Sequence, residues 1–383
     1  MFPAGSCRGQ SYVDDERMSD AADVAVIGGG IVGLSTAYAL VEQGISVRLY
    51  ETGLPGNGQS AGESRIFRHA HGDPRLVASA RDSRAIWDEW AERFGVELVS
   101  PDGVVALGST VHNRLKVLDR VGGVPARAID SSELSERVPL LADYTGPAML
   151  DEAGGAIRTR AAIAALAGRL GDAVLTGEVI SIRAIGGGRV ELRSVSDRAD
   201  YSRVVVCAGR ETARLARSVG LSLPVRLAAH VRLTFDVKGD APERVACLQD
   251  GSGHFGEVGV YATPLPGNRR YAVGLSQTVG VREDGALLEP RELASLAERA
   301  RAYVMRALPG LESEPAEFVH CWVTELPWSE DGLAVWEADG ILFLAGHNLF
   351  KHAPWLGRML ARAAAGDGLE PELSPEARLG EPR

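Results

Sequence analysis

Three glycines, Gly28, Gly30 and Gly33, stand in G-x-G-x-x-G spacing within VAVIGGGIVGLS. That spacing suits the holding of dinucleotide phosphates. The first glycine permits a tight turn, the second lets the backbone approach a pyrophosphate, and the third lets a helix pack closely on the preceding strand. Ile31 opens the helix, whose free N–H groups and partial positive charge face the phosphates. Glu51 follows at about the 20-residue spacing at which a carboxylate accepts hydrogen bonds from ribose hydroxyls. An acid there also repels a 2′-phosphate, which disfavours NADP. The fingerprint alone serves FAD and NAD equally.

Positioning that turn requires a strand before it and a helix after it. Residues 23–27 are a short apolar, mostly β-branched run, read as a buried strand. Ile31–Gln43 has helical spacing through Leu34, Ala37, Tyr38 and Val41, and Gly44 sits where a helix C-terminal glycine belongs. Val47–Glu51 is a second strand, completing a strand–helix–strand unit. Gly53–Gly62 is dense in turn formers and reads as a loop. Further on, Leu76–Phe94, Arg158–Leu170, Leu288–Leu308 and Leu356–Ala365 have helical patterns. Val174–Arg193, Val204–Cys207, Val231–Val237, Gly259–Ala262, Tyr271–Ser276 and Leu342–Ala345 have strand patterns.

This order predicts an α/β protein with a discontinuous Rossmann-like domain (21–82, 150–222 and 318–372). A β-rich substrate domain takes 83–149 and 223–317, with tails at 1–20 and 373–383. Met18 is a candidate initiator.

The bulk properties narrow the function. A length of 383 residues suits two domains sharing a site, and 45% hydrophobic with 24% charged residues is ordinary for a globular chain. A net charge of −10 argues against a nucleic-acid partner. The cysteines, Cys7, Cys207, Cys247 and Cys321, lack CxxC spacing, which implies a reducing, cytoplasmic setting and no zinc ribbon. No histidine spacing points to a metal site. No run reaches the ~20 apolar residues of a membrane span, and the N-terminus lacks the pattern of a signal peptide.

Five ordered motifs are similar to those of the monomeric sarcosine oxidase family, within the D-amino-acid-oxidase-like flavoproteins. They are the glycine fingerprint; Gly62-Glu63-Ser64-Arg65-Ile66-Phe67-Arg68-His69-Ala70; Val204–Gly209 (VVVCAG), a strand ending in Ala208-Gly209; His320-Cys321-Trp322 leading on to Ala345-Gly346; and Phe350-Lys351 with Gly357 beyond it. The resemblance implies FAD as cofactor. It also implies oxidation of a small amino acid or secondary amine, with hydride removed from the carbon beside nitrogen to leave an imine, and a monomer or small homo-oligomer. Ser64, Arg65, Val179, Ala208, Gly209, Gly346 and Lys351 complete the cofactor-binding set. Cys321 matches a cysteine joined through sulfur to the flavin 8α-methyl. Arg68 and Lys351 match the pair that holds the substrate carboxylate, chemistry well suited to a guanidinium fork and an ammonium. Tyr261 matches a tyrosine bordering the substrate, or is a core tyrosine. Arg65 and His69 are placed near the flavin, and His347 and His352 flank Lys351.

The sequence also departs from that family. A lysine held to promote oxygen reduction falls on Ala272, which has no charge to offer, although Arg65, Arg269 or Arg270 could substitute. Ser276 replaces a histidine and Val323 a tyrosine, and the loop Gly346–Lys351 is shorter. These changes argue against simple sarcosine oxidation. They favour a pocket remodelled by Trp355, His352 and Trp322 for a bulkier, aromatic or cyclic amine. The acceptor stays open between oxygen, giving hydrogen peroxide, and another molecule. An NAD-dependent enzyme is the remaining rival.

Overall fold

The computed structural model describes residues 22–382; the expected N-terminal tail, Met18 and Cys7 lie outside them. The strand Val24–Ile27 is buried along its whole length and pairs in parallel with Val47–Glu51 on one side and Arg203–Val206 on the other. Ile341–Gly346 continues the sheet in parallel beside Arg203–Val206, and Leu333–Ala338 closes that edge antiparallel. Val174–Thr176 forms the opposite edge beside Val47–Glu51. Strands covered on both faces read as unbroken apolar runs. For this reason VAVI, VVV and ILFL announce themselves in the sequence.

Helix Ile31–Glu42 is buried from Ile31 to Leu40 and packs against helices Thr159–Leu170 and Ala353–Arg362. Gly357 makes the second crossing possible. A Cβ there would lie 2.6 Å from the Ser35 carbonyl carbon, so only glycine lets the two backbones approach. Helix Pro74–Phe94 is started by Asp73, whose carboxylate accepts the Arg75 N–H at 2.9 Å, and ended by Gly95 in the left-handed region.

A nine-stranded mixed sheet forms the second body. It is built around Arg226–Asp236, which pairs antiparallel with Arg270–Leu275 and with Glu317–Glu325. Val260–Pro264, Cys247–Asp250, Val104–Leu107, Ala148–Asp151 and Ala126–Ile129 extend it, and Pro290–Ala307 packs across it.

Several expected boundaries move. Residues 83–94 belong with the first body, because Ile86, Trp87 and Trp90 sit in the same core as Leu34 and Leu360. Conversely, Ala148–Asp151 and Glu317–Glu325 are hydrogen-bonded into the second sheet. The stretch read as one strand region, 174–193, is an edge strand followed by a hairpin, Val179–Ile185 with Arg189–Ser194. The expected C-terminal tail is docked: Leu373 and Leu379 are fully buried, and the Gly380 N–H donates to Asp73 at 2.9 Å. Lys351 belongs to a 3-10 turn, Leu349–His352, that leads directly into Ala353–Arg362, which makes the preceding loop short.

Candidate active site

A cavity of about 870 Å³ runs from the glycine turn, between the two sheets, to Lys351. At its nucleotide end the glycines are sterically required. Gly28 has φ +103°, and a Cβ there would lie 2.4 Å from the Cys207 carbonyl oxygen; one on Gly33 would lie 1.9 Å from the Gly28 carbonyl oxygen. Ser60 Oγ accepts the Ile31 N–H at 3.0 Å, holding the following loop against the helix start. Glu51 accepts the Gly29 N–H at 2.7 Å and the Gly53 N–H at 3.1 Å, so its carboxylate is fixed at the cavity edge. Val179, Ala208 and Gly209 line the same end. A cradle that excludes a single Cβ, next to an oriented carboxylate, fits an adenine dinucleotide.

Midway, Cys321 stands on the cavity wall, directly across from His230 on the neighbouring strand. Burial pushes the Cys207 and Cys247 thiols up to about 12. Gln59 donates to the Trp322 carbonyl at 3.2 Å and ties the glycine-rich loop to the Cys321 strand. Ser64 bonds Thr263 across the two bodies at 2.7 Å.

Two guanidiniums lie beside this segment. Arg65 donates to the Ser64 carbonyl at 2.9 Å and to the Ala61 carbonyl; burial, then the charge of Arg232, bring it down to about 10. Arg232 donates to the Ser64 carbonyl at 3.2 Å, and its buried Nε has no partner. Neither arginine forms a salt bridge to a carboxylate among the described residues. Ala272 lies off the main cavity, in a side pocket that Arg232 also lines.

At the far end, Tyr261 places its hydroxyl 3.3 Å from His230 Nε2, and the His230 and His347 rings are 5.8 Å apart. Burial, then His347, Arg65 and Arg232, hold His230 well below its usual range, and burial takes His347 down to about 4. Both rings are therefore neutral near pH 7.

Arg68 donates to Asp331 at 2.8 Å. The same carboxylate lies 2.9 Å from His71 Nδ1 and accepts from the Asn348 amide at 2.7 Å. Burial alone would raise Asp331, but Arg68 and His71 outweigh it and keep the carboxylate ionised. Lys351 donates to the Asn348 carbonyl at 3.0 Å, and burial, then Arg68, bring it down to about 7. Arg114 reaches in from helix Val111–Val121 toward Gln249, with a long 3.4 Å contact to its side-chain oxygen.

One cavity therefore gathers Gly28, Gly30, Ile31, Glu51, Ser64, Arg65, Arg68, Val179, Ala208, Gly209, Tyr261, Cys321, Gly346 and Lys351. Gly33 acts from behind the turn. His69 is a correction: it stands outside the lining, its ring buried and bonded to Asp151 at 2.9 Å, so it braces the sheet junction. His352 and Trp355 also lie outside the lining, His352 beside Ser79 and Trp355 against the helical core, which leaves Trp322 alone of the residues expected to shape an aromatic pocket. Asp331, Arg114, Arg232 and His230 were missed. His230 and Arg232 were legible in principle, since residues two apart share a strand face. Asp331 and Arg114 sit on a turn and a surface-facing helix with no such signal. Among the described residues no group of His, Cys, Asp or Glu is arranged for a metal ion, and no helix is long and apolar enough to cross a membrane.

Residues 23–363 match the profile of a family described as FAD dependent oxidoreductase. The chain is 29% identical to glycine oxidase of Geobacillus kaustophilus (strain HTA426), over 90% of this chain and 93% of that protein. It is 27% identical to peroxisomal sarcosine oxidase of Mus musculus, over 89% and 92% respectively. Its fold is that of NikD, an unusual amino acid oxidase essential for nikkomycin biosynthesis, with a TM-score of 0.76, 19% identity, and coverage of 91% of this chain and 94% of that one.

Proposed function

Because the chain belongs to the FAD dependent oxidoreductase family, we propose that it oxidises the C–N bond of a small amino acid or secondary amine to an imine, with oxygen as acceptor. Two electrons and two protons leave the substrate, one proton from nitrogen and a hydride from carbon, and oxygen becomes hydrogen peroxide. The observation that carries this reading is a single cavity joining the glycine turn to Cys321, Tyr261 and Lys351. The names of relatives, glycine oxidase and sarcosine oxidase, support the substrate class.

FAD, when bound, supplies the two-electron chemistry. The turn Gly28–Gly33 and Glu51 hold its nucleotide, and Cys321 is the residue for covalent attachment. Of the two described cysteines that line the cavity, Cys207 sits behind the glycine turn at the nucleotide end, whereas Cys321 stands beside Trp322 and across from His230. Lys351 and Arg68 hold the substrate carboxylate, with Arg68 braced by Asp331. Neutral His230 and Tyr261 face the substrate amine and hydrogen-bond its uncharged form. Oxygen is the acceptor despite Ala272, because Arg65 and Arg232 together leave uncompensated positive charge beside the cavity.

The scattered cysteines support a cytoplasmic protein, and we take it as a monomer or small homo-oligomer. The test is anaerobic mixing of the purified yellow protein with amino acids and cyclic imino acids, followed near ~450 nm. Bleaching by at least one amine, and peroxide formation in air, is the expected result. A flavin that no amine bleaches overturns the proposal. Bleaching that persists for minutes in air replaces oxygen with another acceptor.

A further inference from the structure

The functional reading leaves one cation at the substrate end without a task. Arg68 is occupied by Asp331 at 2.8 Å, and Lys351 is held by the Asn348 carbonyl at 3.0 Å. Arg114 lines the same cavity, forms no salt bridge among the described residues, and has as its hydrogen bond a 3.4 Å contact to Gln249 Oε1. Gln249 is the cross-strand neighbour of Tyr261, so Arg114 is brought over the substrate end rather than the nucleotide end. Of the other acids near this end, Asp250 is taken up by the Tyr303 hydroxyl and the Ser252 N–H, each at 2.8 Å, and Glu330 is drawn toward its neutral form by burial and the nearby Asp331. Arg114 is taken out of water beside Arg68, and Asp331, already bonded to Arg68 and His71, offsets that only in part, so burial still draws Arg114 down to about 10. A buried guanidinium with no carboxylate in contact is costly unless an anion joins it.

We infer that Arg114 receives a second anionic group of the substrate, making the preferred substrate an amino acid with two carboxylates. The inference rests on the proposed amino-acid oxidation and names its substrate class. One carboxylate of the substrate lies at Lys351 and Arg68, and the other forms a paired hydrogen bond with the Arg114 guanidinium. The nitrogen and its neighbouring carbon lie between them, under Tyr261. The bulky or aromatic side chain expected from the sequence is thereby replaced by a short acidic one.

The holoprotein is titrated with malonate, succinate and glutarate, and with acetate, propionate and butyrate, following perturbation of the flavin absorbance. The expected result is that the best dicarboxylate binds at least about ten-fold tighter than any monocarboxylate, the scale of one charge-assisted contact. Arg114→Met should abolish that preference and leave monocarboxylate binding within about two-fold, while Arg114→Lys retains part of it. Equal binding of the two classes by the native protein overturns the inference without need of any variant. Arg114→Met that preserves the preference, or weakens both classes alike, also overturns it. A second arm compares anaerobic bleaching by N-methylaspartate and by sarcosine. Faster bleaching by N-methylaspartate, lost in Arg114→Met, supports the inference. Equal bleaching by both overturns this inference and leaves amine oxidation standing. Bleaching by no amine removes both.

Discussion

Replacing Gly33 with alanine tests the cofactor cradle most directly. The new Cβ would lie 1.9 Å from the Gly28 carbonyl oxygen, and 3.5 Å from the Cys207 side chain. Real contacts of that kind start near ~3 Å, so the helix start and the turn must separate by about 1 Å. Neither atom can rotate away, because the oxygen belongs to the backbone. Overpacking costs roughly 1–3 kcal/mol where side chains can yield, and here the upper end applies. A loss of about 3 kcal/mol corresponds to a midpoint drop of roughly 4 °C in a chain of this length. The displaced amides face the pyrophosphate position, so FAD affinity should fall at least about 100-fold. The assay uses a Cys321→Ser background, to keep covalent attachment from masking weak binding, and reads thermal midpoint and bound flavin. Gly168→Ala is the control: nothing lies within 4 Å of its Cβ and it sits in helix Thr159–Leu170, so it should gain up to ~1 kcal/mol. If Gly33→Ala keeps full flavin and a midpoint within about 1 °C of its parent, the cradle reasoning is refuted.

Three other outcomes follow from the same geometry. Acid precipitation should leave the yellow colour with the native protein and release it from Cys321→Ser; release from both would exclude the thioether. Burial and Arg68 hold Lys351 at about 7, below its ordinary value. It is an ammonium below that pH and a neutral amine above it, so carboxylate affinity should weaken as pH rises through 7. The limit is ten-fold per pH unit, and a flat profile is expected in Lys351→Met; an unchanged profile in the variant would assign the titration elsewhere. Arg232→Met should slow reoxidation of the reduced protein in air by roughly 10–100-fold with little effect on anaerobic bleaching. Equal reoxidation rates would remove Arg232 from the acceptor half of the reaction.

The parts legible in the sequence are those in which local pattern and global packing agree. The strand–turn–helix around Gly28 is one, since a doubly covered strand must be apolar throughout and the turn admits only glycine. The ordered motifs around Arg65, Cys321 and Lys351 are another, because each sits in a short segment whose neighbours share its task. Charge pairing across long separations was not legible. Asp331 reaches Arg68 and His71 only because the turn after Glu317–Glu325 folds back over the cavity, and nothing local marks it. Arg114 likewise looks like any exposed helix arginine until the helix is docked over Gln249. His69 misled for the opposite reason: it lies inside a site motif, yet just past the strand Ser64–Phe67 its ring and N–H turn to Asp151 while Arg68 lines the cavity. The boundary near residue 82 moves because Pro74–Phe94 is one uninterrupted helix: Val77 touches the second sheet, but Leu76, Ile86, Trp87 and Trp90 anchor the helix in the first core.

The pairing of Val24–Ile27 with Arg203–Val206, and of that strand with Ile341–Gly346, has a bearing on how the chain matures. The wall that makes glycine obligatory at position 28 is a carbonyl contributed by Cys207, so residues 24–51 can form their strand–helix–strand unit without yet forming a binding site. Contacts so far apart in the chain close late and slowly. Cofactor capture is therefore a terminal event in assembly, and FAD present during refolding should act on the final docking step, raising yield without hastening the early collapse.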